Sequence, residues 1–253
     1  FEFLQPEKHD DVVSSGAVCA PVEWHQECPR SRKDSEKNED GVSFYGVNSE
    51  GDRLAVTITR LQGHVAELWV AVYASDGACY ALPGTATLDR SAGRSFSAAG
   101  LRIECLAPNR RWRVAFNGLL RKHYNCGNET VEKSEEHVKF GFIWSAISHT
   151  LEMPTELSET LLAECMANMS TANLLQDIKN LAVKMDSYDQ AGMMSGEITV
   201  AGKTREIHLW GYKVRTQDNI SEVPAKQDHH FGFLENGDLY HLVHCTKYGG
   251  ENG

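Results

Sequence analysis

The chain has 253 residues, 41% of them hydrophobic and 24% charged, and its 35 acidic against 25 basic residues give a formal net charge of −10. That composition excludes wholesale disorder, and the acidic excess argues against sequence-independent nucleic-acid binding, which rests on neutralising phosphates. No run approaches the roughly 18 apolar residues that a membrane-spanning helix requires.

Residues 1–40 are polar and irregular and end in the charge run RSRKDSEKNED, which reads as a solvated linker. The opening at Phe1, with no signal-like apolar run, fits a processed protein. From Gly41 short apolar runs alternate with turn residues: VSFYGV, RLAVTITR and VAELWVAVY, separated by NSEGD and LQGH. That is the pattern of a β-meander. Leu54, Val56 and Ile58 share one strand face, whereas VAELWVAVY is apolar on both faces, as expected of a strand covered on both sides.

Gly100–Leu120 contains two more strands around a Pro108-Asn109 turn. Trp112, Val114 and Phe116 point one way and Arg111, Arg113 and Asn117 the other. Asn117-Gly118 is compatible with a turn or a bulge. VKFGFIWSAIS at 138–148 places Val138, Phe140, Phe142 and Trp144 on one face. The period then changes. Leu174, Leu175, Ile178, Leu181, Ala182 and Met185 form one face of an amphipathic helix within a helical insertion at 155–186. Strands resume with GEITV and TREIHLW around Ala201-Gly202-Lys203, then HHFGFL and DLYHLVHC around Asn236-Gly237. With Asn236-Gly237 as a two-residue type I′ loop, Phe233 pairs with Tyr240, Phe231 with Leu242 and His229 with His244.

The chain therefore divides into an irregular segment 1–40, a first β half 41–153, a helical connection 154–187 and a second β half 188–253 that ends short of a full complement of strands. The fold class is mostly β: antiparallel halves of barrel or sandwich type, interrupted once by helices.

Seven cysteines contain no C-x-x-C pair, which speaks against a zinc ribbon or a thioredoxin-type site. Sequons at Asn128, Asn168 and Asn219 favour a secreted glycoprotein over a cytoplasmic protein.

Three segments carry a resemblance: GLRIECLAPNRRWRVAFNGLLR, EHVKFGFIW and SYDQAGMMSGEITVAGKTREIHLWG. In order and spacing they resemble the amino-terminal module of animal phosphoenolpyruvate synthase-like proteins, uncharacterised phosphotransferases, over roughly residues 40–245. The chain has neither a Gly-rich phosphate cradle nor a phosphohistidine motif, so the resemblance brings no phosphotransfer with it. More distantly the module is similar to the tandem lipocalin-like fold of bacterial carotenoid hydratases, which accept long apolar ligands. Those relatives often carry an R-D-H-S-x-G segment after a strand like HLWG. YKVRTQDNIS stands here instead, keeping Arg215 and Asp218 of that pattern.

Trp69, Trp112, Phe140, Phe142, Trp144, Trp210, Phe231 and Phe233 form the candidate lining of an apolar chamber, with His229 and His244 as polar groups that orient a ligand. Core packing is the competing assignment for each ring. His229, His230, His241 and His244 with Asp228 supply only one natural ligand pair, too few for a zinc site. Arg102, Arg110, Arg111, Arg113 and Arg121 suit a carboxylate or phosphate, but read better as outward partners of acids such as Glu104. No G-x-S-x-G elbow or recognised Cys–His signature supports a nucleophilic enzyme, and no catalytic residue is assigned.

The sequence thus favours a non-enzymatic binding protein for an elongated hydrophobic molecule: a carotenoid, a bilin or a lipid. The alternatives are a hydratase or isomerase using Asp218 or a histidine as proton donor, and a docking module derived from a phosphotransferase. A further oligomer or second chain would supply missing strands.

Overall fold

In the computed structural model, the described residues are 27–29, 40–61, 65–87, 95–126, 129–153, 160, 187–216, 226–234 and 239–246. The expected helical insertion lies almost wholly outside them. The strands are β1 (Asp40–Val47), β2 (Arg53–Arg60), β3 (Val65–Tyr73), β4 (Ala78–Thr87), β5 (Ser95–Ala98), β6 (Leu101–Ala107), β7 (Arg111–Cys126), β8 (Glu129–Met153), β9 (Ser187–Val200), β10 (Lys203–Thr216), β11 (Lys226–Phe233) and β12 (Leu239–Thr246).

Ten strands form one antiparallel sheet in the order β4-β3-β2-β1-β10-β9-β8-β7-β6-β5, and an extra pairing of β4 with β7 closes eight of them into a barrel. Closure removes sheet edges that would otherwise template aggregation. The divide expected between two β halves runs through this sheet, since β9 and β10 pair with β8 and β1. What looked like separate halves is one barrel, because the strands after the insertion return to the gap left by those before it.

β7 makes the closure possible by changing partners. Its early residues pair with β6 at Leu101↔Phe116, its later ones with β4 at Ala81↔Arg121, and β8 runs beside both parts. Asn117 and Gly118 pair one-to-one with Lys139 and Val138, so the strand passes through them with neither turn nor bulge. Tight hairpins follow the turn chemistry: Ala99-Gly100 and Ala201-Gly202 all have positive φ, as a type I′ turn requires.

The inner face carries Val42 and Phe44 from β1, Leu54, Val56 and Ile58 from β2, Trp112, Val114 and Phe116 from β7, and Val138, Phe140, Phe142 and Trp144 from β8. Phe44 meets Trp112 and Trp144 edge-on at 5.7 and 5.8 Å between ring centroids, and Phe140 packs on Phe116 and Phe142 at 5.5 Å. Such ring pairs add roughly 0.5–1.5 kcal/mol each beyond the area they bury. At the level of Phe44 the rings touch one another and have no accessible surface. Here the barrel has a solid centre where the sequence suggested an open chamber, because the Phe44 phenyl of β1 and the Trp112 and Trp144 indoles of β7 and β8 meet across its axis.

β11 and β12 form a separate two-stranded sheet. Phe233 pairs with Leu239, Phe231 with His241, His229 with Val243 and Asp228 with His244. This is one residue off the register expected for a two-residue loop. The connection spans Leu234 to Asp238, longer than the two residues expected, and the ladder is offset accordingly. His229 and His244 therefore do not oppose each other.

Candidate functional site

Along β10 the inward positions run Ile207, Leu209, Gly211, Lys213, Arg215. The period of two carries the apolar stripe into two cations at one end of the barrel. Lys213 and Arg215 are fully buried. A buried ammonium is costly unless it is paired and hydrogen-bonded.

The pairing comes from far away in sequence. Residues 27–29 lie at this end of the barrel, and Glu27, also fully buried, accepts hydrogen bonds from Lys213 Nζ at 3.1 Å (Oε1) and 3.3 Å (Oε2) and from the Asn109 backbone N–H at 2.9 Å. Lys213 Nζ also contacts Tyr188 Oη at 3.4 Å. Three rings surround the same nitrogen, Trp112 and Trp144 at 5.1 Å and Tyr188 at 4.8 Å from ring centroid to Nζ. This is the geometry of a cation–π cage.

Arg215 anchors the neighbouring position. It donates to the carbonyls of Gly41 at 2.7 Å, Thr216 at 2.9 Å and Cys28 at 3.2 Å, pairs with Asp40 at 2.6 Å and lies over Phe96 at 5.0 Å. Cys28 is thus held beside Glu27, which fixes the approach of the segment. Gln190 donates to the carbonyls of Asn109 and Ser148, both at 2.9 Å, tying the β6–β7 turn to the bulge in β8.

Burial shifts these groups in opposite directions. It lowers the Lys213 ammonium to about 8, although Glu27 pulls it back up. It raises the Tyr188 phenol far above its ordinary value, reinforced by Glu27, so Tyr188 stays a neutral O–H donor. The buried Cys105 thiol is pushed up to about 12 and is no nucleophile at neutral pH. The indole N–H groups of Trp112 and Trp144 are buried without an acceptor, and native structures rarely leave such donors unmatched. The site is therefore a cage of rings around one cation, one carboxylate and unmatched donors.

Of the rings expected to line a ligand space, Trp112 and Trp144 belong to this cage, while Phe140 and Phe142 pack in the interior. Trp69 and Trp210 are corrections. They are 45% and 44% exposed on the outer wall, because each alternates with inward neighbours, Leu68 and Val70 or Leu209 and Gly211. The outer face of β3 is thus not covered at Trp69. The side chains of Phe231, Phe233, His229 and His244 lie outside the described residues, as do Asn128, Asn168, Asn219 and Asp218. Among the described residues no group of three or more His, Cys, Asp or Glu could hold a metal ion, and no helix is long and apolar enough to cross a membrane.

The five arginines Arg102, Arg110, Arg111, Arg113 and Arg121 lie on the outer wall. Arg113 and Arg102 approach Glu104 at 3.4 and 4.0 Å. Arg110 and Arg111 border a shallow outer cleft of about 800 Å3 that also includes Ile147, His149 and Gln190. Sequence reasoning missed Glu27, Tyr188 and Lys213. The readable signal was the lysine at an inward position of β10; nothing marked Glu27, which sits in a stretch resembling a linker.

No curated protein matches the sequence. Among solved structures, a Nitrosomonas europaea protein assigned as AttH is similar over 90% of this chain, with a TM-score of 0.56 at 12% identity, and this chain spans 66% of that protein's length. That likeness shows a shared lipocalin-like barrel fold. A family model matches residues 1–251, and the chain belongs to that family, a family of unknown function designated DUF8627.

Proposed function

We propose that the barrel binds an elongated apolar small molecule with an oxygen-bearing end, such as a lipid or carotenoid acid or a bilin, and that Lys213 receives that end. One observation supports this reading above the others: a fully buried ammonium whose carboxylate partner, Glu27, lies 186 residues away on a separate segment. A ligand carboxylate is chemically equivalent to Glu27 and competes with it for Lys213. Trp112 and Trp144 offer flat apolar faces beside the head group, and their unmatched N–H groups offer donors to its oxygens. The solid centre means that such a ligand gains its place by displacing Glu27 and repacking rings.

The test is a tryptophan-fluorescence titration with oleate, retinoic acid and biliverdin. Glu27→Gln, which removes the competing charge, is expected to tighten binding of the acid ligands about tenfold, equivalent to about 1.4 kcal/mol, and Lys213→Met to abolish it. Fluorescence unchanged by all three probes, in both wild type and Glu27→Gln, defeats the reading.

A further inference from the structure

We propose that Lys213 forms a covalent imine with a conjugated aldehyde, the cage of Trp112, Trp144 and Tyr188 holding the resulting cation and Glu27 serving as its counterion. The inference rests on the small-molecule reading above and adds a reaction to it. An ammonium and a protonated imine carry the same single positive charge, so a cage and a carboxylate built around one also stabilise the other.

The contacts distribute the roles. Two of the three directions available to the ammonium protons are taken by Glu27 at 3.1 and 3.3 Å, while the contact to Tyr188 Oη at 3.4 Å is long for an N–H···O bond. The Tyr188 side is where the nitrogen is held least, and where a carbonyl carbon can approach. Glu27 takes one proton from Lys213, and the neutral amine attacks the aldehyde carbon. The Tyr188 O–H donates to the oxygen as negative charge develops there. Glu27 gives its proton to that oxygen and takes one from the nitrogen, which leaves a neutral carbinolamine and a protonated Glu27. Glu27 then gives this second proton to the hydroxyl, and the nitrogen lone pair expels it as water. The balance is Lys-NH3+ plus aldehyde going to Lys-NH+=CHR plus one water, with Glu27 ending as a carboxylate. No oxidant or reductant takes part. Burial supports the first step: with the ammonium lowered to about 8, the free-amine fraction at pH 8 is about a hundredfold that of an ordinary lysine. Lys213 has no accessible surface, so the aldehyde enters while residues 27–29 lift from the barrel end, Glu27 acts once they have settled back beside the nitrogen, and the reaction is read over hours.

The experiment incubates the full chain with cinnamaldehyde or retinaldehyde, reduces with borohydride and maps the modified lysine by peptide mass spectrometry. Cinnamyl alcohol and retinol, followed by fluorescence, report non-covalent binding of the same bodies. The expected result is a secondary-amine adduct at Lys213 about tenfold or more above any other lysine. The adduct is expected to form about tenfold more slowly in Tyr188→Phe, with the rate taken at equal occupancy by measuring that variant's own affinity for the alcohols. Mapping in the wild-type chain needs no variant to fold. Binding of the alcohols without an adduct at Lys213, or adducts confined to surface lysines, overturns the imine and leaves the binding reading in place. Neither binding nor adduct overturns both.

Discussion

Replacing Glu27 by Gln leaves the Lys213 ammonium in the barrel without its counter-charge. At the observed 3.1 Å and an effective dielectric near 20, the attraction lost is about 5 kcal/mol. The three rings act on the ammonium before and after the change and leave that difference as it is, while the glutamine amide oxygen still accepts a hydrogen bond and offsets part of it. Release of the proton from an unpaired Lys213 limits the damage further. A net destabilisation of about 3 kcal/mol follows, at the low end of what breaking a buried pair costs. Lys213→Met is expected to cost about 3 kcal/mol, since it leaves the Glu27 carboxylate buried without its partner. In the double variant Glu27→Gln/Lys213→Met no buried charge is left over, and its stability should return to within about 1 kcal/mol of wild type. Urea unfolding at pH 7 reads all four proteins, with unchanged slopes showing that only stability has moved. The same pair has a pH signature. The folded lysine titrates at about 8 against an ordinary 10.5, so between those values the unfolded chain holds more protons and stability rises with pH. That rise should be missing from Lys213→Met. Two single variants each within about 1 kcal/mol of wild type, and additive in the double, would refute the premise that the pair is buried and coupled.

Three further outcomes are expected. Asp52, 3% exposed, accepts from Arg205 at 2.6 and 2.7 Å, from Asn48 at 3.1 Å and from the Ser75 backbone at 3.1 Å, so Asp52→Ala should cost about 3 kcal/mol in urea. Arg205 holds its carboxyl below the ordinary 3.8 despite burial, so wild type should lose stability as pH falls below about 4 and the variant should lack that slope. A Cβ at Gly211 would run into the Tyr45 carbonyl across the β1–β10 pairing, whereas one at Gly141 meets nothing within 4 Å; Gly211→Ala should lower the melting temperature and Gly141→Ala leave it level or raised. Trp144→Ala should cost about 3–5 kcal/mol by opening the core, and the outward Trp210→Ala under about 1 kcal/mol.

The strand pattern from Gly41 onward was legible because a period of two is a local property. RLAVTITR and VKFGFIWSAIS each became a strand with the expected inward set, and VAELWVAVY became a strand with one face inward where cover on both was expected. Which strands close on which was not legible: β7 serves β6 and β4 in turn, and pairing across the insertion leaves no local mark. The last hairpin shows the same limit, since Asn236-Gly237 fits a tight loop by itself while the strands pair around a longer one. Aromatic content alone also misplaced Trp69 and Trp210, where parity within their own strands would have put them outside.

The cage required a different argument, and it was within reach. Once Ile207, Leu209 and Gly211 are inward, Lys213 and Arg215 must be inward too. Two cations inside a barrel cannot stand without acids brought to them. Asp40 at the start of β1 answers for Arg215, at 2.6 Å, because β1 pairs with β10. Among the described residues Lys213 then still lacks a carboxylate from the barrel strands, where the groups beside it are the Trp112, Trp144 and Tyr188 rings and the Cys105 thiol. The acid has to come from a segment outside the barrel. Residues 1–40, read as linker on composition, contain it in Glu27, so that stretch carries part of the fold's electrostatic balance. An inward lysine on a barrel strand is therefore a reason to search sequence of linker-like composition for its partner.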